Sequence, residues 1–152
     1  MVADHVEVAQ RYIIELLEER SLDVLSALVV DDYVLREPLA LLEGRDALSE
    51  RLCDTAFSDI IIVIEDLIAA DDRVVVRSTW QGVHRGTFFG VEATGQRVTL
   101  DVVQVLTFVG SRVSEDCTYY DAYALFEQIG ALPPVDKLAK PVRLAPVLRL
   151  VP

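Results

Sequence analysis

The chain has 152 residues but only two cysteines, two histidines, one tryptophan and one methionine. Cys53 and Cys117 show no metal-ligand spacing, which excludes a zinc module or a disulfide scaffold and reads as a cytoplasmic protein with reduced thiols. His5 and His84 belong to no cluster of ligand-spaced Cys, Asp or Glu, so no metal is expected. The longest unbroken aliphatic run, residues 60–64, falls far short of the roughly 18 residues of a membrane span. The first seven residues are acidic and lack the basic start and apolar stretch of a secretory signal. There is no glycine-rich phosphate loop, no dinucleotide fingerprint and no internal repeat, so the chemistry is expected to need no cofactor. Lysine is missing altogether before Lys137.

What is present is acidic and apolar. Hydrophobic residues make up 52 % of the chain and charged ones 26 %, enough apolar surface for one buried core and too much for disorder. Residues 1–135 hold 24 Asp and Glu against 10 Arg, a net charge of −14. Such a body repels phosphate backbones, so neither nucleic acid nor a membrane is an expected partner. Residues 136–152 carry a net +3. Prolines 133, 134, 141, 146 and 152 rule out a regular helix there. The chain therefore divides into one domain, 1–132, and a proline-rich tail, 133–152, expected to be a loose terminus or an extended arm.

The apolar spacing predicts three N-terminal helices. Val6, Ala9, Ile13, Leu16 and Leu17 define the first, ending near Arg20. Ser21 can cap a short second helix carrying Leu22, Leu25, Leu28 and Val29, ended by Asp31 and Asp32. A short strand at 33–35 stops at Pro38, and a third helix runs from Gly44 to Phe57. The period then changes to that of strands: 60–67, 73–85, 97–109 and 112–121, punctuated by Asp71-Asp72, residues 86–90, Thr94-Gly95 and Gly110-Ser111. A last helix spans 122–129 and stops at Gly130. Helices followed by an antiparallel meander make an α+β plan, with a curved sheet folded over the helices around a central pocket.

Strand alternation sorts the candidate side chains. On 97–109 the even face, with Val98, Leu100, Val102, Leu106 and Phe108, is interior and Gln104 is its single polar member. On 74–85 the even set, with Trp80 and His84, is taken as inner. On the last strand Val113, Glu115, Cys117, Tyr119 and Asp121 form one face, and Ser114, Asp116, Thr118 and Tyr120 the other. With the first set inward, Asp121 stands at the strand end near Cys117, Gln104 and Trp80, where poor hydration would make it an acid or base near neutrality. Alternatively it is simply the N-cap of the last helix. His84 sits at a pocket rim or is structural, and Trp80 is core or the wall for a flat ligand. With the opposite facing, Arg97, Asp101 and Asp121 could converge as an Asp–Arg–Asp set acting on an epoxide. Val75, Val103 and Val105 on the outer face suggest a homodimer.

Several stretches resemble the SnoaL-like polyketide cyclases: residues 77–90 (RSTWQGVHRGTFFG), 93–98 (ATGQRV), 119–122 (YYDA), 128–133 (QIGALP) and the segment from Phe57 to Arg77. The resemblance covers about residues 5–133. It implies a nuclear transport factor 2-like cone. It also implies an intramolecular aldol closure of a polyketide-type secondary metabolite, without metal or cofactor. By the same resemblance Asp121 is the acid/base and His84 a pocket donor. Trp80, Gln104, Cys117, Tyr119, Phe108 and Tyr33 are the expected contacts to a hydrophobic polycyclic ligand. Many relatives have Trp-Asp where this chain has Cys117-Thr118, and often an acid where it has Gln104. Epoxide opening or hydroxylation of such a substrate, and non-catalytic ligand binding by a dimer, are the alternatives.

Overall fold

The computed structural model describes residues 2–134; the proline-rich tail expected over 133–152 lies outside the described residues from 135 onward. The first apolar stripe forms α1 (Val2–Arg11), which continues as a π-helical segment, Tyr12–Glu18. Within it the Glu19 N–H donates to the carbonyl of Ile14, five residues back, at 2.9 Å. Ala9, Tyr12, Ile13 and Leu16 are fully buried, as the spacing requires. A 3-10 turn, Leu22–Val24, leads into a single helical turn, α2 (Leu25–Leu28), and the Ser21 hydroxyl makes no capping bond.

The aspartates at 31 and 32 do not end that helix. The chain extends at Val29 and runs through both as β1 (Val29–Glu37), because the β-branched pair Val29-Val30 buries itself in the sheet. Pro38 does end the strand, and β2 (Ala40–Glu43) returns antiparallel to it, a hairpin the sequence pattern did not announce. The next helix, α3 (Arg45–Leu52), is shorter than expected. Asp54 Oδ1 accepts the N–H of Ala56 at 2.8 Å, an Asx-turn that competes with helical hydrogen bonding.

Four long strands follow: β3 (Phe57–Ala70), β4 (Arg73–His84), β5 (Arg97–Val109) and β6 (Arg112–Tyr119), then α4 (Ala122–Gln128). The sheet has six strands in the order β2-β1-β6-β5-β4-β3, antiparallel except where β1 lies parallel to β6. The α+β plan therefore stands, with the meander extended by β1 and β2. On β4 and β5 the even positions face inward as expected.

On β6 the expected facing is overturned. Phe108 pairs with Val113 but Thr107 pairs with Glu115, so Ser114 is an extra residue on β6. This β-bulge advances the alternation by one step. Val113 is buried before it; Asp116 and Thr118 are buried after it, while Tyr119 is 61 % exposed. The Ser114 hydroxyl occupies the bulge by donating to the Thr107 carbonyl at 3.1 Å.

The interior has two apolar clusters. One joins α1 and its π-helical extension to α2, α3 and the sheet through residues such as Ile13, Leu28, Val74 and Leu106. The other gathers Ala56, Phe88, Val98, Leu125 and Ile129. The Phe108 ring belongs to the first. It stacks on His5 at a centroid distance of 4.4 Å, and the His5 ring reaches the carbonyls of Gly110 and Asp71, tying α1 to two hairpin turns.

Candidate active site

Residues of both clusters enclose a cavity of about 200 Å³. Its apolar walls include Leu35, Phe57, Trp80, Phe88, Leu100 and Leu125. Into it β5 and β6 project Gln104, Asp116 and Thr118, Tyr120 follows just beyond the end of β6, and the π-helical segment adds Tyr12.

Asp116 is the centre of this polar group, with 1 % of its surface exposed. Its Oδ2 accepts from Tyr12 Oη at 2.9 Å and Gln104 Nε2 at 2.7 Å, and Oδ1 accepts from Thr118 Oγ1 at 2.8 Å. The Tyr12 proton is committed to the carboxylate, so Tyr33 donates to Tyr12 Oη at 2.5 Å. Burial disfavours the charged carboxylate and raises the Asp116 pKa to about 6, against the pull of its three donors. Burial, then the negative charge of Asp116, pushes both tyrosines well above the usual phenol range.

A second polar group sits on the same cavity wall. Glu37, at the end of β1, is ion-paired to Arg51 of α3 with only 9 % of its side chain exposed. Burial raises its pKa while Arg51 opposes the rise. Tyr120, beside the apolar wall, is pushed up to about 12, first by burial and then by the Glu37 charge. Arg20, held at φ 55°, points its guanidinium at the carbonyls of Asp54 and Phe57.

The residues expected from sequence are only partly brought together. Trp80 and Gln104 line the cavity; Trp80 Nε1 donates to Ser78 Oγ at 2.9 Å. Tyr33 lies behind Tyr12 and reaches the site through it. Asp121 is exposed and caps α4, its Oδ1 accepting the Ala124 N–H at 3.0 Å. The bulge at Ser114 is why it does not share the inward face. Cys117 and Tyr119 stand on the opposite face of β6 for the same reason, the Cys117 thiol raised by burial and by Glu115. Phe108 packs against His5 and away from the cavity lining. His84 is fully buried behind Phe57, with ring centroids 5.3 Å apart. Its Nδ1 lies 2.9 Å from the Thr94 hydroxyl and 3.3 Å from the Thr94 N–H, and its Nε2 is buried away from any partner among the described residues. Arg97, Asp101 and Asp121 are all exposed, so no Asp–Arg–Asp set faces the cavity.

Asp116, Thr118, Tyr120, Tyr12, Glu37 and Arg51 were not singled out in the sequence. The available signal for Tyr12 was its place inside the apolar stripe that runs from α1 into the π-helical segment, where a hydroxyl must find a partner. For Asp116 the signal was Ser114, small and polar at the one point where the alternation could slip. Among the described residues, no group of three or more His, Cys, Asp or Glu is placed to hold a metal ion, and no helix is long and apolar enough to cross a membrane.

Three solved structures illustrate the likeness. A candidate SnoaL-like polyketide cyclase from Jannaschia sp. CCS1 superposes with a TM-score of 0.79 at 23 % identity, over 87 % of this chain and 94 % of that one. AclR, a candidate hydroxylase from Streptomyces galilaeus, gives 0.74 at 27 % identity, over 90 % and 91 %. An LEH-like epoxide hydrolase from M. tuberculosis gives 0.69 at 16 %, over 84 % and 90 %. The fold is thus the nuclear transport factor 2-like, or ketosteroid isomerase-like, one. No curated protein sequence matches the chain. The family model for the SnoaL-like polyketide cyclases matches residues 7–129, and the chain belongs to that family.

Proposed function

We propose that this protein is an acid/base catalyst acting on a polyketide-type small molecule, and that Asp116 carries the proton. The observation that supports it is the Asp116 carboxyl group, buried at an apolar cavity and poised at about 6, in a chain of the SnoaL-like polyketide cyclase family. At pH 7 most of Asp116 is ionised and still only weakly solvated, which suits a base that must accept a proton and return it.

The reaction follows from that state. Asp116 takes the acidic proton from the carbon between two carbonyl groups of the substrate, leaving an enolate. The enolate carbon attacks a ketone in the same molecule; one carbon–carbon bond forms and the ketone oxygen becomes an alkoxide. The protonated Asp116 returns its proton to that oxygen. Tyr120, neutral at pH 7 because its ionisation lies near 12, is placed on the cavity wall to donate to the developing oxyanion. This gives Asp116 and Tyr120 the roles the family resemblance assigned to Asp121 and His84. At about 200 Å³ the cavity is smaller than the roughly 300–1,000 Å³ of sites that enclose whole drug-sized ligands. A polycyclic substrate would insert one or two rings and keep the rest at the mouth.

The test is α-deuteration of an anthraquinone-type β-keto ester in D₂O without added metal or cofactor, followed by mass spectrometry. Exchange above background that is lost in Asp116→Asn supports the reading. Equal exchange in that variant removes it.

The outer sheet face, where Ile61, Val63 and Val103 are exposed, supports a homodimer. Light scattering at micromolar concentration should give about twice the 16.9 kDa chain mass.

A further inference from the structure

Gln104 is 1 % exposed and lines the cavity. Its Nε2 donates to Asp116 Oδ2 at 2.7 Å. An ionised carboxylate can only accept, so the amide cannot be turned round, and its oxygen must face elsewhere. That oxygen, Oε1, is buried and has no hydrogen-bond partner.

The donors that surround Asp116 do not supply one. The Thr118 hydroxyl, across the β5–β6 ladder from Gln104, is spent on Asp116 Oδ1. Tyr12 is spent on Asp116 Oδ2, and Trp80 Nε1 on Ser78. On the β4 side the register partner is Val76, which brings no side-chain donor. A buried acceptor left without a donor is costly, and Thr118, Tyr12 and Trp80 are each committed to another oxygen.

We infer that Gln104 selects ligands bearing a ring hydroxyl, a phenol or an enol, by accepting that hydroxyl's hydrogen bond at Oε1. The inference rests on the cavity being the ligand site, as proposed above, and adds what the ligand must carry. A ring carbonyl or ether at the same place would set lone pairs against the Gln104 oxygen and leave it unsatisfied. A hydroxyl brings the missing proton while its ring lies along Trp80 and Leu100. The hydroxyl is thereby held beside Gln104, one amide away from the Asp116 carboxylate. This residue thus chooses the face and orientation of the ring as well as its substituent.

The test uses four ligands of similar shape small enough for the cavity: 2-naphthol and 2-naphthylamine, which donate, and 2-fluoronaphthalene and 2-methoxynaphthalene, which do not. Calorimetric titration of the wild-type protein should show the two donors binding about tenfold more tightly than the two non-donors, the scale expected when a buried acceptor gains or lacks its partner. In Gln104→Met, which keeps the length and loses the acceptor, the preference should shrink to about twofold or less. Equal affinities across the series in the wild-type protein would overturn the inference, whether or not the variant folds. So would a donor preference unchanged in Gln104→Met. Because no turnover is needed, absence of proton exchange in the wild-type protein with an intact donor preference would count against the catalytic reading alone.

Discussion

Replacing Asp116 by Asn should remove activity and make the folded protein more stable, and the size of the gain can be worked from the site. An unperturbed Asp titrates near 3.8, whereas Asp116 in the folded chain titrates at about 6, chiefly because of burial. The folded state thus holds the proton more tightly than the unfolded chain. Between those two values the native state binds more protons, so stability falls as pH rises through the window and stays low above it. The gap corresponds to about 3 kcal/mol at pH 8, counted against the protonated form. Asn mimics that neutral form. Its oxygen can keep the two donors at Oδ2, Tyr12 and Gln104, and its amide can donate to the Thr118 hydroxyl, which then turns its own proton away. The expected gain is about 2–3 kcal/mol at pH 8, vanishing near pH 4. Urea unfolding followed by the fluorescence of Trp80, the single tryptophan, measures it at a series of pH values. Wild-type and variant stabilities that run parallel across pH 4–8 would refute the claim that the fold holds this carboxylate ionised at a cost. A variant less stable at every pH would refute it equally.

Other perturbations read neighbouring parts of the site. Proton exchange should rise with pH through about 6 and level off above, since the base must be ionised; Tyr12→Phe removes one donor to the carboxylate and should move that rise to higher pH, seen in the pH–rate profile. Asp121→Ala should cost about 1 kcal/mol in urea unfolding, as the loss of an N-cap, while leaving the exchange rate within about twofold of wild type. Gly86→Ala should destabilise by about 1–3 kcal/mol, because the added Cβ would lie 2.7 Å from the Thr55 carbonyl oxygen, a backbone atom that cannot swing aside.

Much of this molecule was decided by local pattern. The stripe of Ala9, Ile13 and Leu16 made the first helix, and β-branched alternation made β4 and β5, with the correct faces inward and with Trp80 and Gln104 on them. The order of helices and strands sufficed for the α+β plan, and the motifs at 77–90 and 128–133 sufficed for the family. These features depend on periodicity within one segment, and a segment carries its own period. The catalytic candidate does not. Glu115, Asp116, Cys117 and Asp121 offered acids on both faces of the last strand, and which face is interior depends on the extra residue Ser114, fixed by pairing with β5. One residue of slip exchanges the faces, placing Asp116 in the cavity and leaving Asp121 as a helix cap at the surface. Likewise the sequence held Tyr12, Tyr33, Gln104 and Asp116 as four separated polar residues with separate explanations. Only the tertiary structure joins them, because a carboxylate near 6 needs distant parts of the chain to strip its water and supply its donors together.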